Sequence, residues 1–128
     1  MTFDRVAIYV LRLAALASLA FIVGASLVPA EVRPTVGATG MVEHMLAYVA
    51  CGFLFATGFS QFRSTFVWIW LALLAGCLEL AQLYVPGRDA RLPDAIMSAA
   101  GALMGVLAAR VVILMVRAAY RDRGPQNL

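Results

Sequence analysis

Four long apolar stretches confine this chain to a membrane. They run from about Val6 to Val28, Val42 to Phe59, Thr65 to Val85 and Pro93 to Val116. Each is near the ~20 residues that an α-helix needs to cross the hydrocarbon core. None alternates with a period of two, so transmembrane strands are not expected. A chain of 128 residues is one domain at most. With 63% hydrophobic and only 13% charged residues, it carries more apolar surface than a small soluble domain can bury. The expected fold is therefore an all-α membrane protein. A small bundle of four transmembrane helices forms a single domain over residues 1–128.

The connections are short and hold the charges and turn formers. They are Pro29 to Gly40, Ser60 to Ser64 and Pro86 to Leu92. The tail from Tyr120 to Leu128 is polar and expected to fray. The first stretch is longer than the ~7–15 apolar residues of a signal peptide, so it is expected to remain as a helix. Cys51 and Cys77 have no metal-site spacing and read as small apolar residues inside helices.

All ten basic residues are Arg, and the formal charge is +3. They lie scattered at helix ends, which suits membrane orientation and gives no sign of nucleic-acid binding. With the N-terminus inside, Arg5, Arg63, Arg117, Arg121 and Arg123 fall on the cytoplasmic side, and Arg33, Arg88 and Arg91 outside. The excess of arginine on the first side predicts that both termini are cytoplasmic. Arg12 and Arg110 lie within helices near the same inner ends, where they can snorkel.

This orientation gathers the unusual polar residues at one face. Glu43 and His44 open the second helix, Glu79 and Gln82 close the third, and Asp94 opens the fourth. Arg88 sits between them in a Pro86-Gly87-Arg88 turn. Glu79 stands out because the stretch from Ser64 to Gly87 is otherwise uncharged. At about 1.5 Å per residue it lies about 9 Å below the helix end at Val85. A carboxylate at that depth has to be paired, protonated or beside a wet cavity. Gln82 shares its face three residues on, and Ala75 and Gly76 continue that face inward.

His44, Tyr48 and Cys51 line up along the second helix at spacings of four and three. A histidine near a carboxylate can act as acid or base near neutral pH, or can be a hydrogen-bonded interfacial residue. Tyr48 reads as packing with a satisfied hydroxyl. Asp94 follows Pro93, so it suits capping of the fourth helix. Asp94, Ser98, Gly101 and Gly105 fall in one narrow wedge of that helix. Gly101 and Gly105 form a GxxxG pair, expected to let two helix backbones approach closely in lipid. Arg88 can pair with a carboxylate or hold an anionic group of a ligand. Glu31, Arg33, Asp89 and Arg91 read as solvated loop charges, and Trp68 and Trp70 as an interfacial aromatic belt.

One His with no neighbouring cysteine argues against a closed zinc site, and no cofactor motif is present. No serine sits in a nucleophile elbow, so no catalytic residue is assigned.

In order and spacing these motifs resemble the VanZ-like family of bacterial membrane proteins. They are Ser26-Leu-Val-Pro29, His44 with Tyr48, Glu79 with Gln82, Pro86-Gly87-Arg88, and Asp94 with Ser98 and Gly101. The chain departs from the family pattern twice. Gly40-Met41 stands where an Asp-Lys pair is common, and Ser98 stands at the family's Asn. The resemblance implies a multi-pass protein of the cytoplasmic membrane with a theme of the cell envelope. The family is named for a protein giving resistance to the glycopeptide teicoplanin. Three readings follow from residues and resemblance together. An envelope protein could lower glycopeptide sensitivity by contacting a lipid-linked wall precursor, the drug or a wall enzyme. A membrane enzyme could act on a lipid head group, with His44 as base and Glu79 as its partner or an acid. A structural subunit could assemble with a membrane protein partner through its glycine face.

Overall fold

The structure is a computed structural model and describes residues 2–33, 35, 37 and 39–122, with side chains between residues 5 and 121. Four helices carry the chain back and forth: α1 (Thr2–Leu27), α2 (Gly40–Gly58), α3 (Ser64–Ala81) and α4 (Leu92–Asp122). All four are long and apolar enough to cross a membrane. No strand occurs among the described residues.

The helix ends follow local chemistry. Pro29 disfavours helical backbone at Val28, and α1 stops at Leu27. Pro86 acts likewise at Val85, which is extended at φ −100° and ψ 125°. The third stretch, expected to be helical to Val85, therefore tightens into a 3-10 turn over Gln82–Tyr84 before it ends. At the other extremes the helices exceed the apolar stretches. α1 begins at Thr2, and α4 continues past Val116 to Asp122. Tyr120–Asp122, expected to fray, is helical, while residues 123–128 of that tail lie outside the described residues. Arg and Ala favour helix and continue the hydrogen-bond ladder once the apolar stretch has ended.

The most extensive helix contact is between α2 and α4. The two run parallel, since the backbone of Met45 faces Gly101 and that of Val49 faces Gly105. A Cβ at Gly101 would lie 3.0 Å from the Met45 carbonyl carbon, and one at Gly105 would lie 2.8 Å from the Phe53 nitrogen. Gly52 reciprocates from α2, where a Cβ would stand 2.5 Å from the Ala102 carbonyl oxygen. The expected close approach of the glycine pair is thus made, and α2 is its partner. In lipid, such packing replaces the hydrophobic effect as the force joining helices.

Around this pair, α3 packs on α4 and α1 packs on α2. Cys51, Leu71, Ala102, Val106 and Ala109 form the centre of the core. α1 is the peripheral helix. Among its described side chains only Ala15, Ile22 and Ser26 are buried, at spacings of seven and four along one face. Its large apolar side chains Val10, Leu13, Leu16 and Phe21 point outward, as a lipid-facing helix allows.

Candidate functional site

The sequence places the polar residues at the end of the bundle that carries the connections after α1 and after α3. Here that end is called the loop end. The opposite, terminal end holds the start of α1, the end of α4 and the turn after α2.

Pro29 and the end of α1 leave carbonyls without helical partners. The turn after α3 supplies the donor. Gly87 adopts a φ of +72°, which a glycine reaches without strain, and the turn rests against Ala30. From it Arg88 reaches back to α1. Its Nε donates to the Val28 carbonyl at 3.2 Å, and its Nη2 donates to the Ala25 carbonyl. A cation on the last turn of a helix is also favoured by the helix dipole. Of the two readings the sequence leaves open for Arg88, a carboxylate partner or an anionic group of a ligand, the first is not met among the described residues, where Arg88 makes this cap. Burial and the neighbouring Arg33 push the Arg88 pKa below its ordinary value, while Glu79 opposes that shift.

Glu79 is buried at 7% exposure, and its Oε1 accepts the backbone N–H of Arg91. It thereby ties the end of α3 to the residue just before α4. Its Oε1 thus sits at the N-terminal end of α4, where the helix dipole favours an acceptor. Gln82 and Asp94 are buried nearby in sequence, and Gln82 Nε2 and Asp94 Oδ1 have no hydrogen-bond partner among the described residues.

On α2, His44 meets α4. Its Nδ1 lies 3.4 Å from Ser98 Oγ, a long contact whose direction depends on the imidazole tautomer. The charges of Arg33, Asp94, Glu79 and Arg88 all act on the ring. Ser98 is 1% exposed, so its hydroxyl is part of the α2–α4 seam. Tyr48, one turn below His44, is buried.

Arg33 differs from the expectation of a solvated loop charge. It is half-buried and donates from Nη2 to Glu43 Oε2 at 2.9 Å, so the connection after α1 is pinned to the first turn of α2. The two residues are ten apart across a loop, a separation at which no helical or strand periodicity signals a contact. Glu31, Asp89 and Arg91 are exposed as expected. Trp68 also departs from a simple aromatic belt. Its indole N–H donates to the Ala99 carbonyl at 3.1 Å and links α3 to α4, because a half-buried indole needs an acceptor.

These placements split the polar cluster in two. His44, Tyr48 and Arg88 line a cavity of about 350 Å³ between α1 and α2. Arg33, Glu43 and Ser26 complete its polar wall, and Phe21, Ile22, Ala25, Leu46 and Ala47 form its apolar wall. Glu79, Gln82, Asp94 and Ser98 are outside it, with Glu79 tying the end of α3 to the start of α4 and Ser98 meeting His44 of α2. Gly101 and Gly105 lie deeper on the same α4 face and set how near α2 comes. Among the described residues no group of three His, Cys, Asp or Glu side chains is arranged to hold a metal ion.

Four spanning helices with a cavity of mixed polar and apolar lining at one end define a multi-pass membrane protein. The VanZ/LLP1 family model matches residues 5–114, and the chain belongs to that family. No curated protein and no solved structure matches it at a significant level.

Proposed function

We propose that this protein acts in the bacterial cytoplasmic membrane to lower sensitivity to glycopeptides of the teicoplanin type, engaging an envelope component through its loop end. Both termini face the cytoplasm in this reading, as the distribution of arginines supports. The loop end then meets the outer leaflet, where lipid-linked wall precursors are displayed.

One observation carries the reading. The cavity between α1 and α2 brings Arg88, Arg33, His44 and Tyr48 to one small space at that end. At about 350 Å³ it has the volume of a small-molecule site. A whole glycopeptide antibiotic is far larger, so the partner is a membrane component and the drug is not captured inside. The test is glycopeptide susceptibility in a permeable bacterial host, with empty vector, the wild type, and Arg88→Gln and His44→Ala at matched membrane abundance. Protection by the wild type that both variants lose supports the reading. Wild-type levels of protection from both variants would overturn it.

The contact between His44 and Ser98 favours a second reading, an enzyme working on a lipid head group with His44 as base. The burial of Ser98 counts against that serine as nucleophile, since a substrate could not reach it. Turnover of a labelled phospholipid by the purified protein, lost in His44→Ala, would favour the enzyme.

A further inference from the structure

Resting on that reading, we infer that the cavity between α1 and α2 takes the anionic phosphate headgroup of a lipid entering sideways from the bilayer.

The cavity is amphipathic in the direction that a lipid requires. Phe21 on α1 and Leu46 on α2 flank it and are 59% and 52% exposed on the bundle surface. In a membrane that surface is acyl chain, so the flank is a lateral mouth. A free inorganic anion would gain nothing from this apolar flank, whereas the chain of a lipid would lie along it. The polar wall is at the opposite, loop end, at the height of a headgroup.

The charges favour an anion. Arg33 is balanced by Glu43 in an ion pair. Arg88 makes no ion pair among the described residues, and its two hydrogen bonds go to backbone carbonyls of α1. Those bonds fix the guanidinium without neutralising it. The cavity lining therefore carries two arginines against the single carboxylate of Glu43, with Glu79 acting on Arg88 from outside the lining, and in this partly dry setting a phosphate oxygen is a strong acceptor. His44 supplies a further polar contact on the α2 side.

The test uses full-length protein in phosphatidylcholine nanodiscs, with and without phosphatidic acid, read by native mass spectrometry after detergent release and by thermal stability. The wild type should retain phosphatidic acid over phosphatidylcholine and gain stability from it. Arg88→Gln should weaken that retention by about tenfold, the effect of losing a charge-assisted hydrogen bond. Should Arg88→Gln fail to fold, Ala47→Phe takes its place, because it fills the cavity and leaves every charge. Equal retention of both lipids by the wild type, or full retention by Ala47→Phe, overturns the inference. Inorganic phosphate that stabilises the wild type as well as phosphatidic acid does would overturn lateral lipid access and leave an anion site. The glycopeptide assay is independent. Protection that depends on Arg88 without selective lipid retention removes the inference alone. Selective retention without protection removes the functional reading alone.

Discussion

Helix α2 has two seams, and they differ in kind. Against α4 it is closed along its length by Gly52, Gly101 and Gly105, with backbone meeting backbone. Against α1 it is close at the terminal end, where Gly58 lies under Leu11 and Arg12 and Arg12 Nε donates to the Gly58 carbonyl at 2.9 Å. Toward the loop end the same two helices leave a cavity of about 350 Å³. The distance between two helices is set by the smallest side chains at their contact. One helix can thus be anchored on its glycine-facing side and leave room for a ligand on the other. The rigid seam holds His44 in place, and the looser seam gives it something to face.

The greatest disturbance should come from the closed seam. Gly105→Leu pushes α2 and α4 apart and should destabilise the protein by about 3 kcal/mol or more. Thermal unfolding in detergent, together with the amount reaching the membrane, measures it. Gly24→Leu is the paired control. No atom outside its own helix lies within 4 Å of a Cβ at Gly24, so its effect should stay within about 0.5 kcal/mol. Similar losses from the two substitutions would mean that glycine content, and not the α2–α4 contact, governs stability.

Arg88→Gln should come next. It removes the cap on α1 and lowers stability by about 1–2 kcal/mol, and glycopeptide protection should disappear with it. Arg12→Gln sharpens the comparison, since Arg12 caps α2 at the closed end of the same seam and also lies 5.3 Å from the centre of the Phe59 ring. It should lower stability by a similar ~1–2 kcal/mol with protection intact. If both arginines prove equally necessary for protection, the cavity is not what distinguishes them.

Ala47→Phe probes the open seam by volume. Stability should change by about 1 kcal/mol, and protection should be lost in the susceptibility assay. The smallest effect belongs to Ser98→Ala. Loss of a single 3.4 Å contact should lower stability by about 1 kcal/mol at most. Protection should persist, and its complete loss would instead point to a chemical role for the hydroxyl.

Much of the site was legible in the sequence because its residues sit at helix ends. The ends are fixed by local rules, so Ser26, His44, Glu79 and Asp94 had to share one end of an up-and-down bundle. Their division of labour was not legible. Glu79 was the most conspicuous residue, yet its partner is a backbone N–H twelve residues on, across a turn whose path depends on Pro86 and Gly87. Arg88 and Arg33 each had several partners of suitable charge, and only the packing of α1 against the two connections selects among them.

By itself the sequence determined the number of helices, their limits within a few residues and the gathering of polar groups at one end. Those features depend on hydropathy over ~20 residues, on prolines and on short connections, all of which are local. The tertiary structure decided that α4 pairs with α2, a helix two steps back in the chain. It also decided that the polar cluster divides into a buried tie among α2, α3 and α4 and a cavity between α1 and α2. Both outcomes depend on which backbones can approach most closely, and that is a property of two surfaces together, which no single stretch of sequence contains.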